Sequence, residues 1–147
     1  MQIDRGFQIE APSLFVPWGI SGTELLKLTS GTAESVANGL LMMPCTSLSG
    51  LRHYLGFYFS ADDRLERLSL FFRPPLELRR SFALFQQHLE ATFGAPMWHS
   101  EAFGFPAYRW VFNSIEISHH VLDRFILEEY LYIGPFIEAS KLWSGQR

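Results

Sequence analysis

The stretch from Pro74 to Pro96 restricts most sharply what this chain can become. Pro74-Pro75 stops whatever precedes it, and from Leu76 to Phe93 the residues Leu78, Phe82, Phe85, Leu89 and Phe93 recur at three- and four-residue spacing. Arg79, Arg80, Gln86, Gln87 and Glu90 fall elsewhere around the turn, Gly94 supplies a stop, and Pro96 bars continuation. One long amphipathic helix is predicted, and its apolar stripe needs a flat apolar surface to lie on.

On both sides of that helix the period changes to two. Leu40-Leu41-Met42-Met43, a break at Pro44, and the aromatic run Tyr54 to Phe59 predict strands over about 39–44 and 51–60. After an Ala61-Asp62-Asp63 turn, Leu68, Leu70 and Phe72 alternate with Arg67 and Ser69, as in a hairpin with one wetter face. Beyond the helix, Tyr108, Trp110 and Phe112 alternate with Arg109, Val111 and Asn113, and Ile115 and Ile117 alternate with Glu116 and Ser118. Phe125, Leu127, Leu131 and Ile133 continue the pattern, with Glu129 as the exception on that face.

The ends are less regular. Phe7 to Ile9 and Leu14 to Val16, separated by Pro12, read as an irregular or edge segment. Pro17-Trp18-Gly19 is a turn, and Ser21 with Glu24 three residues on forms a capping box that opens a short helix over about 22–29. Gly134-Pro135 ends the strands, and Phe136, Ile137 and Trp143 predict a short closing helix. The expected fold class is therefore α+β: a mostly antiparallel sheet of about six strands packed against one long central helix, with short N- and C-terminal helices. No linker-like stretch divides residues 1–147, so a single domain is expected. The two halves look alike in element order, although no residue-level repeat is visible.

Composition removes several function classes. Hydrophobic residues make up 48% of the chain and charged residues 18%, which is the balance of a folding chain rather than a disordered one. Twelve Lys plus Arg against fifteen Asp plus Glu give a net charge of −3, and no basic stripe stands out, so a nucleic-acid partner is not expected. The N-terminal stretch lacks an apolar signal-peptide core, and no apolar run approaches the ~18 residues of a membrane span. A cytoplasmic location without membrane contact is the expectation, and Cys45, the only cysteine, allows no internal disulfide.

Candidate chemistry is sparse. Adjacent residues of a strand point to opposite faces, so His119 and His120 cannot share one metal ion. Cys45 follows Pro44 in an apolar stretch without basic neighbours and reads as a small buried hydrophobe rather than a nucleophile. Asp62-Asp63 fits a turn, the glycines form no phosphate loop, and no nucleophile elbow is present. No catalytic residue, metal or cofactor is assigned.

The most suggestive surface is the acidic and aromatic set Glu116, Asp123, Glu128, Glu129, Tyr130 and Tyr132. Ile126, Glu128, Tyr130 and Tyr132 share one strand face, opposite Phe125, Leu127 and Leu131. Tyrosine offers contact area at low entropy cost and carboxylates steer a basic partner, so this set is the candidate partner-binding site.

The Pro-Trp-Gly turn before a capped helix, the aromatic hairpin from Leu51 to Phe72, the helix ending Phe93-Gly94-Ala95-Pro96 and the second aromatic sheet together resemble small bacterial toxin-immunity proteins. That resemblance implies a non-enzymatic, cytoplasmic inhibitor that binds a bacterial toxin and occludes its active site. The size, mild acidity and helix-strand-helix order also look like secretion chaperones for effector proteins. A third reading is a small enzyme or ligand-binding domain, with a pocket between sheet and helix lined by His119 or His120 and carboxylates.

Overall fold

The computed structural model describes residues 2–102 and 104–135. In chain order these form β1 (Gly6–Ile9), β2 (Leu14–Pro17), α1 (Gly22–Leu28), β3 (Glu34–Ser35), a 3-10 turn (Ala37–Gly39), β4 (Leu41–Ser47), β5 (Leu51–Phe59) and β6 (Leu65–Phe71). Then follow α2 (Leu78–Phe93), β7 (Trp98–Ala102), β8 (Phe105–Phe112), β9 (Ile115–Asp123) and β10 (Leu127–Pro135).

This order corrects the α+β expectation, because the described chain is mostly β. Eight strands form one antiparallel sheet in the order β3-β4-β5-β6-β10-β9-β8-β7, β1 and β2 form a separate pair, and only α2, with 16 residues, is a long helix. The strands missing from the sequence reading carry little periodicity. β3 has two residues, β7 is an edge strand exposed along Trp98 to Glu101, and β1 and β2 have four residues each. Pro44 sits inside β4 opposite Tyr54 rather than breaking it. Beyond Met42 the outer side of β4 pairs only through the Ala11–Thr46 bridge among the described residues, so the missing proline N–H costs no ladder bond. The predicted closing helix over Phe136, Ile137 and Trp143 lies outside the described residues.

Each α-helix is followed by a four-stranded meander: α1 by β3 to β6, and α2 by β7 to β10. The last strands of the two meanders, β6 and β10, meet at the centre of the sheet through Ser69–Tyr132 and Leu68–Ile133. Gly134 makes that meeting possible, since a Cβ there would collide with the Glu66 carbonyl oxygen.

One face of the sheet carries the core. Met43, Leu55, Phe57, Leu68 and Leu70 of the first meander and Trp110, Ile117, Leu131 and Ile133 of the second are buried with Phe85 and Leu89 of α2. Phe7, Ile9, Val16 and Leu25 join the same cluster, so α2, α1 and the β1-β2 pair all cover that one face. Each such side chain contributes roughly 1.5–3 kcal/mol on burial.

The helix ends follow their local sequence. Ser21 and Glu24 form the expected capping box, and the Asp63 carboxylate in the β5-β6 turn accepts the Gly22 N–H at 3.2 Å. Glu77 caps α2 by accepting the Arg79 and Arg80 N–H groups. Gly94 ends α2 at φ +83, and its carbonyl accepts the Trp110 indole N–H at 3.0 Å. Trp18 of the Pro-Trp-Gly turn donates its indole N–H to the Ile3 carbonyl at 2.8 Å. Among the described residues no helix is long and apolar enough to cross a membrane.

Candidate functional site

The face of the large sheet opposite the core is covered by no described element. Register places Arg52, Tyr54, Gly56 and Tyr58 of β5 there, next to Arg67, Ser69 and Phe71 of β6. Beyond them stand Glu128, Tyr130 and Tyr132 of β10, Glu116, Ser118 and His120 of β9, and Arg109 of β8. Alternation explains the placement, because the intervening residues of each strand fill the core.

The aromatic rings on this face form a pair and a row of four. Tyr54 stacks on Phe71 at 5.9 Å between centroids, Tyr58 meets Tyr132 edge-on at 6.3 Å, Tyr132 lies 5.4 Å from Tyr130, and Tyr130 stacks on His120 at 5.9 Å. Arg67 places its guanidinium over both Tyr58, at 4.8 Å, and Tyr132, at 4.6 Å. At the far side Arg109 lies 4.8 Å from the Trp98 ring. Burial among these rings pushes the Tyr132 hydroxyl up to about 12, with Tyr58 adding to the shift, so that phenol stays uncharged at neutral pH.

The predicted site residues divide across the molecule. Glu116, Glu128, Tyr130 and Tyr132 lie on the open face, and Glu116 is ion-paired with Arg109. Glu128 acts electrostatically on Arg124, whose guanidinium donates to the Tyr130 hydroxyl at 2.7 Å. Asp123 ends β9 at the rim of the sheet. Glu129 faces inward, as its place among Leu127 and Leu131 indicates, and is taken up by a buried network. The acids of the face thus stand beside arginines, while Arg67 and Arg52 remain exposed. Arg67, Tyr58, Tyr54 and Phe71 fall outside the set that the sequence picks out, because only the cross-strand register puts β5 and β6 on the same face as β10.

Two buried polar clusters lie on the core side. In the first, the His53 Nδ1–H donates to the Tyr54 carbonyl at 3.0 Å and Nε2 accepts the Ser47 hydroxyl at 2.6 Å. Burial drives the His53 pKa down to about 4, so the ring is neutral at pH 7. Cys45 Sγ lies 3.8 Å from Nε2, and burial pushes its thiol up to about 12, which leaves no thiolate to act as a nucleophile.

In the second cluster, His119 is fully buried and its ring stacks on Phe82 at 3.9 Å. Nδ1 donates to Gln86 Oε1 at 2.8 Å, Gln86 Nε2 donates to Glu90 at 2.7 Å, and Nε2 faces a Glu129 carboxylate oxygen at 2.6 Å. Ser81 donates its hydroxyl to the other Glu129 oxygen. Burial pulls the His119 pKa down while the Glu129 carboxylate opposes it. Ser81 binds the carboxylate and not the imidazole, so the histidine is not placed to take a proton from it. Both clusters read as the means by which a sheet-helix interface keeps buried polar atoms paired. Every buried side-chain nitrogen or oxygen among the described residues has a partner.

His119 and His120 point to opposite faces, as strand geometry requires, and the described residues contain no group of three or more metal-ligating side chains. Of two described cavities, one of about 510 Å³ is flanked by Arg52, Arg73, Tyr54 and Phe72 and reaches Cys45 and His53. The other, about 300 Å³, is lined by Arg79, Phe82, Ala83, Phe105 and Tyr108. Neither has His119, His120 or a carboxylate in its lining. Compared with family models, curated proteins and solved structures, the chain shows no significant match to any of them.

Proposed function

We propose that this protein is a non-enzymatic recognition module that binds an acidic protein surface through the open face of its large sheet, and that it serves as an immunity protein covering a toxin's active site. The observation that carries this reading is Arg67 lying over Tyr58 and Tyr132 at the middle of a face that no described element covers. Tyrosine and arginine are the side chains that concentrate binding energy at interfaces, and a guanidinium already held by two rings loses little freedom when it meets a carboxylate. Glu116 and Glu128 stand beside Arg109 and Arg124, so the charge available to a partner on this face is cationic. A partner offering carboxylates fits it, rather than the basic one that the acidic residues alone implied. Tight binding needs roughly 1,200–2,000 Å² of total buried surface, which a face spanning β5, β6, β10, β9 and β8 can supply.

The test is site-specific photo-crosslinking in native cells, with the crosslinker placed at Tyr58, at Tyr132 and, as a control, at exposed Ala91 on α2. The expected result is one protein captured from both face positions, not from α2, with capture lost in Arg67→Glu. Capture from α2 alone, or capture of single-stranded nucleic acid by the face, overturns the recognition reading. Should the captured protein be harmless to cells lacking this chain, the immunity role falls and recognition stands.

A further inference from the structure

The turn between β9 and β10 presents three large apolar residues in a row to solvent: Phe125 at 106% relative exposure, Ile126 at 67% and Leu127 at 42%. Soluble chains do not usually leave such a run open. Its backbone sharpens the anomaly. Arg124 N–H bonds to the Ile126 carbonyl at 3.0 Å, which leaves Phe125 alone at the tip, at φ +88. That left-handed conformation favours glycine and is costly for a bulky side chain. Phe125 therefore contributes no core packing, and its backbone adds strain rather than stability to the turn.

The same end of the molecule carries a matching hollow. The cavity of about 300 Å³ is bounded by Phe82, Ala83, Phe105, Pro106 and Tyr108, with the Arg79 guanidinium 4.6 Å from the Phe105 ring at its rim. Phe82 and Phe105 pack with Val121, two residues before Asp123, so finger and hollow lie at one end of β8, β9 and β10. The charges correspond as well: Arg124 beside the finger is turned to the Tyr130 hydroxyl, which leaves exposed Asp123 as the charge flanking the finger, and Arg79 flanks the hollow.

We infer that this end of the protein is a self-association surface, in which Phe125 of one copy enters the Phe82–Phe105 hollow of a second copy and Asp123 meets the second copy's Arg79. A two-fold arrangement satisfies both fingers and both hollows at once, as an isologous interface demands. Contact of this extent belongs to the weak class, with a dissociation constant on the order of 100 µM or tighter. The surface lies at the end of the sheet, apart from the Arg67 row, so the inference stands independently of the partner reading.

Sedimentation velocity over a rising concentration series of the full chain tests it. Wild type is expected to pass reversibly from monomer to dimer. Phe125→Gly, which also suits the tip conformation, and Ala83→Trp, which fills the hollow, are each expected to weaken association about tenfold or more while the circular dichroism spectrum is unchanged. Arg79→Asp and Asp123→Arg are each expected to abolish the dimer, and the two changes together to restore it. A wild-type chain that remains monomeric throughout, a dimer indifferent to Phe125→Gly or to Ala83→Trp, or a double swap that fails to restore association overturns the inference.

Discussion

Each meander buries one histidine in its third strand, His53 in β5 and His119 in β9, and the two are accommodated in different ways. His53 rests on a backbone carbonyl and a hydroxyl, both neutral, and becomes a neutral ring at the cost of a pKa near 4. His119 is enclosed by a carboxylate and an amide, and Glu129, Ser81, Gln86 and Glu90 extend the chain of bonds onto α2. The first solution is local to two neighbouring strands. The second ties the helix to the sheet through polar contacts at a place where an apolar residue at position 119 would have sufficed for packing alone, which makes it the more specific and the more fragile.

Phe85 touches both solutions. Its ring meets His53 at 5.9 Å and His119 at 6.4 Å, both edge-on, and stacks on Phe72 at 4.4 Å. Phe85→Ala should give the largest effect, a loss of about 3–5 kcal/mol in urea denaturation, because it opens a cavity under both histidines. A loss below about 1 kcal/mol would show that the two clusters are not held by this shared ring.

The clusters should then separate. Glu129→Ala takes the carboxylate partner from the buried His119 ring and leaves the Ser81 hydroxyl without its acceptor, and is expected to cost about 2–3 kcal/mol, whereas Ser47→Ala removes one neutral bond from His53 and is expected to cost about 1 kcal/mol. Equal losses would erase the distinction. The last effect is one of pH. The His53 pKa is lowered from the usual ~6.5, so the unfolded chain binds the proton more readily than the folded one. The contribution of its neutral ring is complete above pH ~6.5 and fades as the pH falls toward 4. Between pH 7 and pH 5 that amounts to about 2 kcal/mol, and His53→Gln should flatten the slope by this much. His120, also held down to about 4 by burial, adds slope of the same sign in both proteins. An unchanged slope in His53→Gln would place the lost protons elsewhere.

Sequence periodicity carried the elements that bury a regular stripe. The α2 stripe Leu78, Phe82, Phe85, Leu89 and Phe93 faces the core, and Leu68 and Leu70 sit opposite Arg67 and Ser69, because helix and strand periods are fixed by backbone geometry. The inward position of Glu129 was legible as an exception in the pattern. Its reason was not, since His119 lies ten residues away and the partner serine is on another element. Ser81 and Gln86 are buried on α2 for that same reason, although their side chains alone place them on the wet side. β3 and β7, one too short and the other too exposed to alternate, left no periodic trace, and so an eight-stranded sheet read as six. The open aromatic face shared this difficulty: Tyr58 and Tyr132 belong to different meanders, and no local pattern says that two strands so far apart in sequence will lie side by side.

That central seam also sets the order in which the molecule can be made. Leu68 and Ser69 acquire their neighbours only when Ile133 and Tyr132 have been synthesised, which at roughly 5–20 residues per second is a delay of several seconds. Until then the first meander has an unpaired β6 edge, with Leu68 and Leu70 waiting for the second half. A nascent chain of this protein is consequently most vulnerable to sticking to other chains in the interval before β10 arrives, and a ribosome stalled between the meanders would hold it in that state.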